Sequence, residues 1–179
     1  MIVFKNIDIL DENFQLKQNV SVRVEGNLIK EISSEPIEQK EADRVIDGKN
    51  RVLIPGFVNA HAHSPMSLMR GYGENMSLQD WLFKRIFPFE DKLNSDAVYY
   101  GTLLTMAESF KYGIVSTSDM YYFVDDMVRA ALESGAKANI SRSITNPAGA
   151  PFDSLESVRE AVEVASKYHM TADGRIRID

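Results

Sequence analysis

His61 and His63, separated only by Ala62, close the run Val52-Leu53-Ile54-Pro55-Gly56-Phe57-Val58-Asn59-Ala60. Side chains two apart on a β-strand point to the same face, so Phe57, Asn59, His61 and His63 share one face and Val58, Ala60 and Ala62 the other. Two imidazoles side by side at a strand terminus can offer two nitrogens to one divalent cation. Zinc accepts such ligands, and a catalytic zinc keeps one position open for water. Iron and nickel accept the same donors. The preceding run is apolar on both faces, as in a strand buried within a parallel sheet. Histidines at the C-terminal end of such a strand sit where α/β barrels carry their chemistry.

A mononuclear catalytic zinc takes three protein ligands as a rule. The chain has three histidines and no cysteine, so thiolate ligands and disulfides are excluded. The third histidine, His169, lies in the polar segment Lys167-Tyr168-His169-Met170 and is expected to be exposed and inert. The metal site is announced and not visibly finished. Two ligands rarely hold zinc against water and buffer, so a metal is expected to be absent or partly occupied in these residues alone.

The elements that must position the histidines fall into two regions. Residues 1–54 read as β structure. Val20, Val22 and Val24 alternate with Ser21, Arg23 and Glu25, and Gly26-Asn27 supplies a turn before Leu28 to Ile32. Ile2-Val3-Phe4, Ile7 to Leu10 and Val45 to Gly48 suggest further strands, and Ser33 to Ala42 an exposed loop. The expectation is a small antiparallel module that runs directly into the histidine strand.

Residues 55–179 alternate strand and helix. Ser77 caps a helix with Trp81, Leu82 and Ile86 that Pro88 ends, and Asn94 or Ser95 caps a longer one. The apolar positions of that longer helix are Val98, Leu103, Leu104, Ala107 and Phe110. Ile114 to Met120 is a strand, Val124 to Ser134 a helix closed by Gly135, and Ala136 to Thr145 a strand. A last helix begins at Ser154, and Arg175 to Asp179 starts another strand. The fold class is α/β, with about three βα units and the start of a fourth strand. A closed (β/α)₈ barrel needs eight units. An unpaired buried edge is costly, so the chain reads as the front part of a longer protein. A missing C-terminal half or a second copy would then cover its open edge.

A net charge of −6, with acids and bases interspersed, leaves no basic stripe to neutralise nucleic-acid phosphates. No run approaches the ~20 apolar residues of a membrane span, and the N-terminus lacks the pattern of a signal peptide. Absence of cysteine fits a reducing cytoplasm. The charge pattern argues against nucleic acid as the main partner, and the sequence offers no membrane span.

Four segments together carry a resemblance: His61-Ala62-His63-Ser64-Pro65-Met66, Leu78-Gln79-Asp80-Trp81-Leu82, Pro88-Phe89-Glu90-Asp91 and Asp119-Met120-Tyr121. The sequence resembles the amidohydrolase superfamily, in the chlorohydrolase-like branch that holds deaminases of S-adenosylhomocysteine and 5′-methylthioadenosine. The resemblance spans essentially the whole chain. It implies part of an N-terminal β-sandwich followed by the first half of a TIM-type barrel. It implies a metal-dependent hydrolase that deaminates the purine of an adenosine derivative, with one divalent metal, zinc ahead of iron or nickel. His61 and His63 would be metal ligands, Glu90 would bind ribose hydroxyls, Arg142 would face a homocysteine carboxylate, and Trp81 would line the pocket. The branch's other ligands and its proton-shuttling glutamate fall on later strands, so no catalytic group is expected within these residues. Guanine or pterin deamination, triazine chlorohydrolysis and a non-catalytic fragment are the alternatives.

Plainer roles compete for each residue. Glu90 could be a solvated carboxylate beside Asp91 and Lys92, Arg142 a surface arginine, and Trp81 a core residue. Asp119 is read as a capping residue rather than a ligand. Met66, Met69 and Met76 are read as packing.

Overall fold

Alternating burial organises the first strands. In β1 (Ile2–Leu10) and β2 (Leu16–Glu25), Ile7, Ile9, Val20 and Val22 turn to one face and form a small core. The pairing is antiparallel, with Phe4 opposite Val22 and Ile7 opposite Val20. Gly26 (φ +58°) makes the turn into β3 (Leu28–Ser33), which pairs antiparallel with β2.

The module is mixed rather than purely antiparallel as expected. β4 (Arg44–Asp47) and β5 (Val52–Leu53) both run parallel to β1. A hairpin turn can only reverse the chain, whereas a long connection can return it to its starting end. The segment after β3 is such a connection. It is not simply an exposed loop, because Ile37 is buried and the Glu38 carbonyl accepts a hydrogen bond from Arg23 Nη2 at 2.6 Å.

The computed structural model describes all 179 residues, which divide into two compact units, Met1–Pro55 and Gly56–Asp179. No helix in either unit is long and apolar enough to cross a membrane.

The second unit is built on four parallel strands in sequential order: β6 (Phe57–Ala62), β7 (Ile114–Tyr121), β8 (Lys137–Arg142) and β9 (Ile176–Ile178). Its segments include α1 (Leu78–Trp81), α2 (Phe87–Glu90), α3 (Ser95–Lys111), α4 (Val124–Ser134), α5 (Glu156–Tyr168) and the short turn α6 (Thr171–Gly174). The α/β class expected from the alternation is what forms. α4 shows the cause most directly. Val124, Met127, Val128 and Ala131 recur at i, i+3, i+4 and i+7, and all are buried. Gly135 (φ +79°) closes the helix in the left-handed conformation, with its N–H on the Ala131 carbonyl.

Three expectations shift. α3 is capped by Asn94 as read, but its buried face is Val98, Tyr99, Gly101, Thr102 and Met106, while Leu104 and Phe110 are exposed. Small residues at 101 and 102 let the helix approach its neighbour closely, and size-blind apolar periodicity does not see this. α5 begins at Glu156, because Ser154 Oγ turns back to the Pro151 carbonyl and closes a short 3₁₀ turn, Phe152–Ser154, instead of capping the helix. β8 is shorter than the strand expected over residues 136–145. It ends level with Tyr121, the last residue of β7, beyond which no neighbouring strand offers pairing.

Candidate active site

The two histidines emerge together from the end of β6. Their ring centroids lie 4.9 Å apart with planes at 83°. Two imidazoles sharing one tetrahedral zinc through single nitrogens would have centroids about 5 Å apart. The spacing present therefore fits joint ligation. His63 Nδ1 lies 2.8 Å from the Met120 carbonyl oxygen. A carbonyl can only accept, so Nδ1 carries the proton and Nε2 presents its lone pair. Orientation of this kind is typical of metal-binding histidines. No group of three or more His, Cys, Asp or Glu side chains gathers to hold a metal. The donor set here fits half of a centre.

The segment after the histidines is clamped from two sides. The Asp119 carboxylate accepts the Ser64 N–H at 3.1 and 3.3 Å and is 4% exposed. Its role is structural, but it caps the distant segment after the histidines and not the turn that follows its own strand. On the other side, Thr105 Oγ1 donates to the Ser64 carbonyl at 2.7 Å, and Ser67 Oγ donates to the Gly101 carbonyl at 2.9 Å. Met69 is buried and Met66 half-buried in the core of this unit, the packing role expected of both.

Glu90 arrives by an unexpected route. Ser77 caps α1 through the Asp80 N–H at 3.2 Å, but Pro88 does not end the helical run. A π-helical turn, Leu82–Ile86, leads directly into α2, and the Phe87 N–H bonds back to the Leu82 carbonyl. Pro88 follows directly on this turn, where the Phe87 N–H to Leu82 carbonyl bond has already interrupted the regular i→i−4 ladder. Glu90 is the last residue of this short helix, held in helical backbone rather than placed after a break.

Tyr121 receives it. The Tyr121 hydroxyl donates to Glu90 Oε1 at 2.7 Å, and its ring centroid is 6.3 Å from that of His63. Burial pushes the Tyr121 phenol pKa strongly up, and the Glu90 carboxylate adds to the effect. Tyr122 is raised for the same two reasons, burial first.

Glu90 and Arg142 line one open cleft of about 750 Å³, together with Asp91, Tyr122, Phe123 and Glu160. Arg142 Nε donates to Glu160 Oε2 at 2.5 Å, Nη1 donates to the Ser143 carbonyl, and the guanidinium stands 5.1 Å from the Tyr122 ring centroid. Phe123 holds φ 55°, ψ 52° at the start of α4, a strained conformation for a bulky residue on a cleft wall. Neither histidine lines this cleft. Trp81 is half-buried against the core, where a Cβ on Gly73 would come within 2.9 Å of it. It does not line the cleft either. His169 is exposed but not idle: its Nδ1 lies 3.0 Å from the Ile178 carbonyl oxygen, tying the end of α5 to β9.

Tyr122 and Glu160 were not singled out from the sequence, and Tyr121 stood only as the last residue of a family-like segment, without a role of its own. For the tyrosines a signal existed, since Tyr121 closes a strand, and Tyr122 follows it, at the end where the histidines also emerge.

Residues 52–178 match the model of the Amidohydrolase family. The chain is 38% identical over 177 residues to a protein of Dictyoglomus thermophilum named 5-methylthioadenosine/S-adenosylhomocysteine deaminase, a match covering 99% of this chain and 40% of that one. It is 47% identical over 120 residues to the 5'-deoxyadenosine deaminase of Methanococcus vannielii, covering 66% of this chain and 28% of that one. Among solved structures, atrazine chlorohydrolase of Arthrobacter aurescens complexed with zinc superposes with a TM-score of 0.83 at 19% identity, over 99% of this chain and 46% of the other. An adenosine deaminase of Xanthomonas campestris with bound zinc gives a TM-score of 0.83 at 22% identity, over 99% and 41%. At those identities the two structures speak to fold alone. The chain spans about 40% of the length of the first curated relatives it matches. With its matched region covering more than half of the residues, the chain belongs to the amidohydrolase family.

Proposed function

We propose that the polypeptide carrying this chain is a metal-dependent aminohydrolase that removes the amino group from the purine of an adenosine derivative, with 5′-methylthioadenosine and S-adenosylhomocysteine as its substrates. The observation that carries this reading is the imidazole pair with its preset His63 tautomer, in a chain aligned over 99% of its length with a deaminase of those two compounds. His61 and His63 would hold one divalent cation, zinc ahead of iron or nickel. When bound, that cation supplies the acidity that makes water a nucleophile near neutral pH.

The chain's own residues bind and orient. Glu90 accepts hydrogen bonds from the ribose hydroxyls and Arg142 pairs with the carboxylate of the homocysteine end, while Trp81 packs against the core and not on the cleft wall. The remaining ligands and the proton-shuttling carboxylate come from residues outside these 179. In this reading the four parallel strands are the first half of an eight-stranded barrel, and the N-terminal unit is part of a β-sandwich. The rest of the polypeptide, or a second copy, covers the open sheet edge. The protein works in the cytoplasm on a small nucleoside, with neither nucleic acid nor membrane as partner.

The test is ammonia release by the purified full-length protein from 5′-methylthioadenosine, S-adenosylhomocysteine, adenosine and guanine, with chloride release from atrazine and elemental analysis alongside. The expected result is turnover of the adenosine derivatives and about one bound metal per chain. His61→Ala or His63→Ala should lower metal content and reduce the rate on the order of a hundredfold or more. Turnover of guanine or atrazine without any of an adenosine derivative would overturn the reading.

A further inference from the structure

Three consecutive residues at the end of β7 each hold a different part of the candidate site. The Asp119 carboxylate takes the Ser64 N–H, the Met120 carbonyl takes His63 Nδ1, and the Tyr121 hydroxyl donates to Glu90 Oε1. The first two fix the histidine segment. The third reaches across to a different helix, and nothing in the family match assigns it a role.

Glu90 alone would be a poor ligand for a diol. It ends a helix of four residues, and its side chain has three rotatable bonds to immobilise. Tyr121 is not free in the same way. It is 4% exposed, and its ring lies 5.1 Å from that of Tyr122 and 6.3 Å from that of His63, centroid to centroid. A buried ring cannot swing to follow a mobile carboxylate, so the hydrogen bond at 2.7 Å fixes Glu90 and not the reverse. Burial also keeps the phenol protonated, and hence a donor, throughout the range in which proteins work. The structure gives Glu90 Oε2 no protein donor, and Glu90 lines the cleft shared with Arg142. An ionised carboxylate offers about four lone-pair sites. With Oε1 engaged, those of Oε2 remain for a ligand.

We propose that Tyr121 is a positioning residue that sets the Glu90 carboxylate so that Oε2 faces the cleft and receives the vicinal hydroxyls of a ribose. The proposal rests on the role given to Glu90 above, and adds that this role depends on the Tyr121 hydroxyl. It also gives a physical route by which the carboxylate keeps a constant distance from the histidine pair. Both are held by β7, one through the Met120 carbonyl and one through the next side chain.

The experiment is equilibrium binding of inosine and 2′,3′-dideoxyinosine to the full-length protein. Both lack the leaving amino group, so neither is turned over, and they differ only in the diol. Tyr121→Phe should weaken inosine about tenfold and leave dideoxyinosine within about twofold. Glu90→Asp keeps the charge but withdraws it from Tyr121, and should show the same selectivity. In the Glu90→Gln background, Tyr121→Phe should add less than about twofold. Equal weakening of both ligands, or additive losses in the double variant, would show a merely structural tyrosine and overturn the proposal. If Glu90→Gln leaves inosine binding unchanged, the role of Glu90 itself fails. If Glu90→Gln is selective and Tyr121→Phe is not, only the positioning role fails. Thermal unfolding of each variant reports whether the fold is retained. Should Tyr121→Phe not accumulate folded, Tyr121→Met, which fills similar space without a hydroxyl, is read by the same criterion, and its failure to discriminate the diol overturns the proposal.

Discussion

Tyr121 and Arg142 are register partners at the ends of β7 and β8. Paired residues on parallel strands leave the sheet on the same side. Tyr121 engages Glu90, and Arg142 engages Glu160 and faces Tyr122. One step of sheet register thus brings a carboxylate and a guanidinium, from distant parts of the chain, to the walls of one cleft.

Glu160 occupies the guanidinium edge that a ligand carboxylate would use. Glu160→Gln should therefore favour a carboxylate-bearing nucleoside. The ratio of its affinity to that of inosine should rise about threefold to tenfold in the full-length protein. Arg142→Ala should abolish the preference. Titration calorimetry with S-inosylhomocysteine and inosine measures both. A fall in the ratio on Glu160→Gln would mean that Glu160 is needed to hold Arg142 in place.

The His63 tautomer is open to direct observation. With histidine-selective ¹⁵N labelling, His63 should show a protonated Nδ1 and an unprotonated Nε2 in the neutral ring, as the Met120 carbonyl requires. Adding zinc should shift the Nε2 resonances of His61 and His63 and leave His169 in place. An Nε2-protonated His63 would remove the preset ligand geometry.

Gly101 marks the closest approach of α3 to the segment after the histidines. A Cβ there would lie 2.9 Å from the Pro65 carbonyl oxygen and 3.1 Å from Pro65 Cα and Leu68 Cγ. Two of those atoms are backbone, so the helix or the segment must move. Gly101→Ala should destabilise by about 1–3 kcal/mol through overpacking, read from denaturant midpoints. The His63 resonances should shift as the segment is displaced.

Asp125 predicts an acid-sensitive tie between α4 and the end of α5. It accepts from Lys167 Nζ and Tyr168 OH, each at 2.5 Å. Burial disfavours its charge, but these hydrogen bonds outweigh burial and lower its pKa. A carboxyl lowered in the folded state contributes stability above its unfolded pKa of about 3.9, and that stability is lost as pH falls through the folded value. Asp125→Asn should lower the urea midpoint at pH 7 and shrink the difference between pH 7 and pH 3. An unchanged difference would show that the tie is too exposed to matter.

What could be read without the structure depends on local periodicity. A two-residue repeat suffices to put His61 and His63 on one face, and the α4 stripe with Gly135 after it specifies a helix and its stop. The β–α alternation that follows specifies the α/β class. Each of these depends on neighbours within one or two turns of chain. The site's internal bonds do not. Met120 is 57 residues from His63, Tyr121 is 31 from Glu90, and Arg142 is 18 from Glu160. Which of these meet depends on strand order and register, and no pattern within one segment records either. The same holds for the parallel pairing of β4 and β5 with β1, for the small-residue face of α3, and for Pro88. A proline reads as a stop when only its missing N–H is considered. Here a π turn has already interrupted the regular ladder before Pro88, the helical run continues through it, and that continuation decides where Glu90 stands.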